Sequence, residues 1–253
     1  LLHFDGQKVT AHDGRETAPA GAKGDMFVGD NGKPLPFDEA VLSGHSVGVP
    51  GALRMLEAAH RQHGALPWAQ LIEPAITLAE QGFKVSPRLH TLLQTDLHLK
   101  KDPLALRFFY NAQGQAWPIG DVLRNPEYAH VLRRIAAEGS RALHEGPVAQ
   151  AMVKRAQTAP HPGTLSLQDL AGYQPRVREA LCFDHTAQTR AYRVCGFPPP
   201  SSGQIAIGQI LGLLARTSPQ GPEFAGGLPS PDWLHRYTEA SRLAFADRAQ
   251  YLA

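Results

Sequence analysis

Pro198-Pro199-Pro200-Ser201-Ser202-Gly203 separates two periodicities in this 253-residue chain. Upstream, residues 176–185 and 190–195 alternate with period two and read as paired strands joined by a polar turn around 186–189. The prolines stop the second strand, because each lacks the N–H that a ladder needs. Downstream, Ser201-Ser202-Gly203 offers a cap for a helix over about 204–214. A last amphipathic helix covers 231–252, with Leu234, Tyr237, Leu243 and Ala246 among its apolar positions. The three prolines make a stiff extended corner, and the N–H groups behind it form an anion-receptive pocket. A rigid corner with no ligand is an equal reading.

Further upstream the pattern is helical. From Pro50, Leu53, Leu56, Ala59 and His60 repeat on one face. A second helix runs over about 67–81, with Leu71, Ala75, Leu78 and Ala79 inward and Gly82 as its stop. Helices are also expected at 88–97, 126–138, 146–157 and 167–171, the last preceded by Ser166 with Asp169 three residues on, close to a capping box. The first 45 residues are turn-rich, punctuated by Asp13-Gly14, Asp30-Asn31-Gly32 and Pro34-Leu35-Pro36. Residues 1–4 read as a strand, Asp5-Gly6 as a turn and 7–10 as the return strand. With no internal repeat and no long low-complexity linker, the chain reads as one incomplete, helix-rich α+β domain over 1–253. A strand with no visible beginning and a helical run closed by Ala253 without a Gly cap or Pro stop suggest a piece of something longer.

Composition narrows the classes. Apolar residues make up 43% and charged residues 19%, the balance of a globular protein. A formal charge of +2 and a pI near 8.6, without a dense Lys/Arg stripe, leave no footprint for nucleic acid or an anionic membrane. The longest uncharged apolar stretch, 203–215, is too short to span a bilayer. The first residues lack the basic lead and sustained apolar run of a signal peptide. Cys182 and Cys195 are too few for a disulfide scaffold or, by themselves, a zinc site. They flank the expected hairpin, so a bridge is geometrically conceivable. The favoured reading is two small buried thiols, since free Cys is among the most buried types.

Three patterns carry candidate chemistry besides the corner. Gly44-His45-Ser46-Val47-Gly48 fits G-x-S-x-G, in which a strained strand-to-helix turn exposes a serine hydroxyl. The strand it needs, Ala40-Val41-Leu42, is short, so a plain loop-to-helix entry is favoured. His60 and His63 lie three apart on a helix, a spacing that shares a metal, but no H-E-x-x-H or third ligand accompanies them. In Asp13-Gly14-Arg15-Glu16-Thr17-Ala18-Pro19, Arg15 follows a turn and its planar fork suits bidentate capture of a carboxylate. From pattern alone a lone Arg is more often a surface ion pair.

Taken in order, Asp13 to Pro19, then Ser46-Val47-Gly48-Val49-Pro50-Gly51, the helix with Glu73-Pro74-Ala75, Pro198 to Gly203, and Glu239-Ala240-Ser241-Arg242-Leu243-Ala244-Phe245-Ala246-Asp247-Arg248 resemble the γ-glutamyltransferase family of N-terminal nucleophile hydrolases. The resemblance implies an αββα sandwich in the complete protein, made as a precursor that cuts itself into large and small subunits. This chain would be most of the large subunit. The nucleophile would be the Thr opening the small subunit, outside this chain, attacking the γ-carbonyl of glutathione or a related donor. Arg15 matches the Arg that pairs with the donor's α-carboxylate, and Glu16 beside it would orient the guanidinium. Glu239, Arg242, Asp247 and Arg248 would form ion pairs on the last helix. One residue departs: the family's Ser-Ser-Gly is usually followed by Gly, where this chain has Gln204. The resemblance also implies a periplasmic or secreted location, no cofactor, and the small subunit as partner. Alternatives are a cephalosporin acylase or poly-γ-glutamate-processing relative and, from a different class, a serine esterase using Ser46.

Overall fold

The computed structural model describes residues 1–158, 161–187 and 189–252. In chain order it contains β1 (Leu2–Phe4), β2 (Val9–Asp13), α1 (Phe37–Leu42), α2 (Ala52–His63), α3 (Trp68–Gln81), β3 (Phe83–Lys84), α4 (Pro87–Thr95), α5 (Pro103–Phe109) and β4 (Val122–Leu123). Then come α6 (Pro126–Glu138), α7 (Arg141–His144), α8 (Gly146–Ala156), α9 (Leu167–Gly172), β5 (Arg176–Glu179), β6 (Leu181–Ala187) and β7 (Arg190–Gly196). The chain continues through α10 (Gly203–Leu214), β8 (Phe224–Ala225), β9 (Leu228–Pro229) and α11 (Pro231–Tyr251). Residues 1–14 and 175–253 form one unit and residues 15–174 a second.

In the first unit, β1 and β2 form the expected hairpin, with Leu2 opposite Ala11 and Phe4 opposite Val9. Asp5 Oδ1 accepts from Gln7 N at 2.8 Å and Lys8 N at 2.7 Å, while Gly6 turns the chain at φ +99°. A side chain at that φ would be strained, so the Asp-Gly turn fixes the register. The strand read as continuous over 176–185 instead breaks at Ala180. Its first half, β5, pairs with β2, while β6 pairs with β7. Alternation lapses at the break, where Arg178-Glu179 are both polar and 180–183 all apolar, but the pattern does not say which partner each half takes. Gln188, inside the expected 186–189 turn, and Ala253, expected to close the last helix, lie outside the described residues.

Cys182 and Cys195 are direct partners across β6 and β7, Cα atoms 4.1 Å apart, and form a disulfide. The free-thiol reading is therefore corrected: the register puts both side chains on one face of a close antiparallel pair. The helix α10 leans on this hairpin. Gln204, 5% exposed, donates from Nε2 to Val194 O at 3.0 Å.

The second unit is helical. One cluster joins Ile76 and Ala79 of α3 to Ala129, Leu132 and Ile135 of α6, with Ala142 beside them. Small residues at 79 and 129 let the helix axes approach closely. Leu71 and Leu78, expected inward, are 46% and 56% exposed, and on α2 the buried pair is Met55 and Ala59 while Leu56 is 45% exposed. Leucine spacing identifies the helices but selects the wrong stripe, because the close face is chosen by alanine. Helix α6 has the bounds the sequence predicts: Pro126 opens it and Asn125 accepts from Tyr128 N at 2.9 Å. Gly82, at φ +88°, ends α3 as expected. The helices α1, α5 and α7 were not expected. For α5 the signal is present in Asp102-Pro103, whose carboxylate accepts from Leu104 N and Ala105 N.

Candidate functional site

The segment after β2 carries the one expected site residue, Arg15. Its side chain is 58% exposed, and Nε lies 3.5 Å from Glu16 Oε1, itself 61% exposed. An ion pair this exposed contributes about 0–1 kcal/mol, too little to hold a side chain in place by itself. The backbone is held far more firmly. Tyr173 Oη donates to Arg15 O at 2.8 Å. Thr17 and Val49 form an antiparallel bridge, with Val49 N donating to Thr17 O at 2.9 Å. Ala20 N donates to Asp169 Oδ1 at 2.9 Å.

Two motifs distant in sequence thus lie side by side. Gly48 packs tightly against this segment: an added Cβ would sit 3.1 Å from Glu16 Cβ and Cγ and 3.3 Å from Thr17 O, closer than ordinary contact. Ser46-Val47-Gly48-Val49-Pro50-Gly51 therefore braces the Arg15 segment. Asp13, the last residue of β2, is 7% exposed and accepts from Arg178 Nε at 2.7 Å.

Helix α9 forms the other support. Ser166 and Asp169 make the full capping box. Burial alone would raise the Asp169 pKa, but hydrogen bonds from Ser166 and Ala20 N outweigh it and hold the carboxyl below its usual range. Arg54 of α2 donates to Ala171 O at 2.9 Å and also to Tyr173 O. His144, 1% exposed, places Nδ1 2.9 Å from Leu170 O. Burial above all lowers its pKa, keeping the ring neutral at physiological pH.

The other candidates are used structurally. Ser46 sits on a 3-10 turn, Gly44–Ser46, that follows helix α1 rather than a strand. Its Oγ lies 2.8 Å from Val41 O and 2.9 Å from Ser43 O. The strand–turn–helix geometry of a nucleophile elbow is not present, so the G-x-S-x-G match is a packing feature. His60 Nε2 lies 2.7 Å from Leu66 O, and its ring meets Trp68 edge-on at 5.3 Å. Among the described residues no three His, Cys, Asp or Glu side chains are grouped to hold a metal. At the proline corner Ser202 does not cap α10 with its side chain; its Oγ accepts from Arg248 Nε at 2.8 Å. Asp247 accepts from Gln209 at 2.8 Å, so of the four residues expected to ion-pair on α11 only Glu239 and Arg242 do, at 3.1 Å. A cavity of about 920 Å³ opens between α1, α5 and α8, lined by Leu42, Val47, Met152, Arg155 and Leu165 among others; none of residues 13–19 lines it. The Arg15 segment lies outside it.

Residues 1–253 match the family model described as gamma-glutamyltranspeptidase. A protein of Arabidopsis thaliana named glutathione hydrolase 2 is 39% identical over 241 residues, covering 94% of this chain and 38% of that protein. The Acylase ACY 1 proenzyme of Pseudomonas sp. is 35% identical over 253 residues, covering 97% of this chain and 43% of that protein. The crystal structure of Helicobacter pylori gamma-glutamyltranspeptidase superposes with a TM-score of 0.86 at 28% identity, over 100% of this chain and 70% of that one.

The chain has an α+β fold shared with that gamma-glutamyltranspeptidase structure. It belongs to the gamma-glutamyltranspeptidase family. It spans less than half the length of the two curated relatives.

Proposed function

We propose that this chain supplies the donor-binding part of an enzyme that transfers a γ-glutamyl group from glutathione or a related donor to an amino acid, a peptide or water. Arg15 holds the donor's α-carboxylate, and a Thr on the small subunit of the same precursor attacks the γ-carbonyl. The observation that carries this reading is the Arg15 segment: an exposed guanidinium on a backbone fixed at residues 15, 17 and 20. A fixed backbone leaves only the Arg15 side chain to be ordered when a carboxylate binds. The acylase relative favours a second reading, removal of an acyl group from a substrate other than a γ-glutamyl compound. A γ-glutamyl anilide and its analogue without the α-carboxylate separate the two. Preference for the first supports γ-glutamyl transfer, and equal turnover supports the acylase.

The isolated chain is expected to give no turnover of γ-glutamyl anilide, since it brings binding surface without a matched nucleophile. Activity that survives repurification would overturn this division of labour. Its strands also keep apolar side chains exposed, Phe4 at 63% and Val177 at 64%, the kind of surface another subunit covers.

A periplasmic or secreted location fits the Cys182–Cys195 disulfide, because such bonds persist in oxidising compartments. No described helix is long and apolar enough to cross a membrane. Replacing both cysteines by Ser is expected to cost about 2–3 kcal/mol, the loop-closure entropy of a short hairpin. Thermal melting of the double variant beside the wild type measures it. An unchanged melting temperature would show that the bond does not form in solution.

A further inference from the structure

Helix α9 is only six residues long, yet it is tied to its surroundings at both ends. At its start, Asp169 Oδ2 takes Ser166 N at 2.9 Å and Ser166 Oγ at 2.6 Å, which leaves Oδ1 for Ala20 N. At its end the carbonyls of Leu170, Ala171 and Tyr173 are taken by His144 and Arg54. The helix therefore has little freedom to shift. Tyr173, which follows it, is 7% exposed and packs in the cluster with Val49, Leu165 and Leu170. Its ring lies 6.2 Å from the His144 ring, centroid to centroid. A phenol held this way points its hydroxyl in one direction, and that direction ends on Arg15 O at 2.8 Å.

We propose that Tyr173 is a positioning residue for donor binding, acting through its hydrogen bond to the Arg15 carbonyl. The bond fixes the 15–16 peptide and with it the direction in which the Arg15 side chain leaves the backbone. Asp169, holding Ala20 N, fixes the far end of the same segment. This inference rests on the reading of Arg15 as the carboxylate-binding residue. A fork accepts a carboxylate bidentately only over a narrow range of angles, so a swing of the backbone weakens the grip without removing the charge. A phenylalanine ring keeps the packing of Tyr173 against Val49, Leu165 and Leu170. Removing the hydroxyl alone thus costs the fold little while loosening the site.

Tyr173→Phe in the complete protein that carries this chain is the test, read with three companions: Arg15→Ala, the double variant, and a donor without the α-carboxylate. Tyr173→Phe is expected to raise donor KM by about three- to tenfold, the range of one ordinary hydrogen bond, with kcat and melting temperature unchanged. The effect should vanish for the donor without the α-carboxylate, and should vanish again in the Arg15→Ala background, since nothing remains to be aimed. If Arg15→Ala raises donor KM and Tyr173→Phe does not, the positioning role is overturned and the Arg15 reading survives. If Arg15→Ala leaves donor KM unchanged, both fall. A Tyr173→Phe effect of equal size on both donors, or one tracking a lowered melting temperature, marks a structural role and also overturns the proposal. Should Tyr173→Phe be recovered unfolded, Asp169→Asn carries the same expectations for donor KM on the two donors, together with a lowered melting temperature because it also weakens the capping box.

Discussion

Arg15→Ala in the complete protein is expected to raise the KM for a γ-glutamyl donor about tenfold or more. The substitution removes a charged hydrogen-bonded interaction with the donor, worth about 1.5–3 kcal/mol. Arg15→Lys should fall between Ala and the wild type, since it keeps the charge without the planar fork. A donor without the α-carboxylate should be processed equally by all three proteins. Autocleavage of the precursor should persist in both variants, because cutting its own backbone needs no donor carboxylate. The exposed Glu16 ion pair adds too little to change this order. An unchanged donor KM in Arg15→Ala, or joint failure of folding and autocleavage, would make Arg15 structural.

Gly44→Ala is expected to destabilise the fold by about 3 kcal/mol or more, the upper range for overpacking. A Cβ on Gly44 would lie 1.8 Å from Ala156 O and 2.4 Å from Gly163 N, both backbone atoms that have no rotamer to yield. The two chain segments meet through Gly44 N to His161 O and Gly163 N to Ala156 O, each 2.8 Å. The first Gly of the G-x-S-x-G match is thus explained by close backbone packing. Ser46→Ala, in contrast, should cost about 1 kcal/mol through its hydroxyl hydrogen bonds, and the wild type should take up no fluorophosphonate label at this serine. A Gly44→Ala variant that melts like the wild type would remove the packing explanation, and a label that disappears in Ser46→Ala would restore the esterase reading.

Local chemistry is the most legible layer of the sequence. The Asp5-Gly6 turn, the helix start at Pro126, the Gly82 stop and the Ser166/Asp169 capping box are each set by residues within four positions of one another, and each stands as expected. What the pattern does not hold is partnership. The stretch 176–185 reads as one strand, yet β5 and β6 pair with different strands. The leucines of α2 and α3 have helical spacing, yet the buried stripes follow Met55 with Ala59 and Ile76 with Ala79. The site divides the same way. Arg15 stands out through its motif, while its supports, Tyr173 and Asp169, are separated by 158 and 149 residues from the positions they hold and have no local signal tying them there. Cys182 and Cys195 show the limit from the other side: the hairpin is legible, but whether its register makes them direct partners is not.

The most direct test of the donor-binding role is a crystal structure of the complete protein with a γ-glutamyl compound bound. The Arg15 guanidinium should meet the α-carboxylate through paired N–H···O bonds of about 2.7–2.9 Å, with the Tyr173 hydroxyl still on the Arg15 carbonyl. An α-carboxylate held by other residues, with Arg15 facing only Glu16, would contradict it.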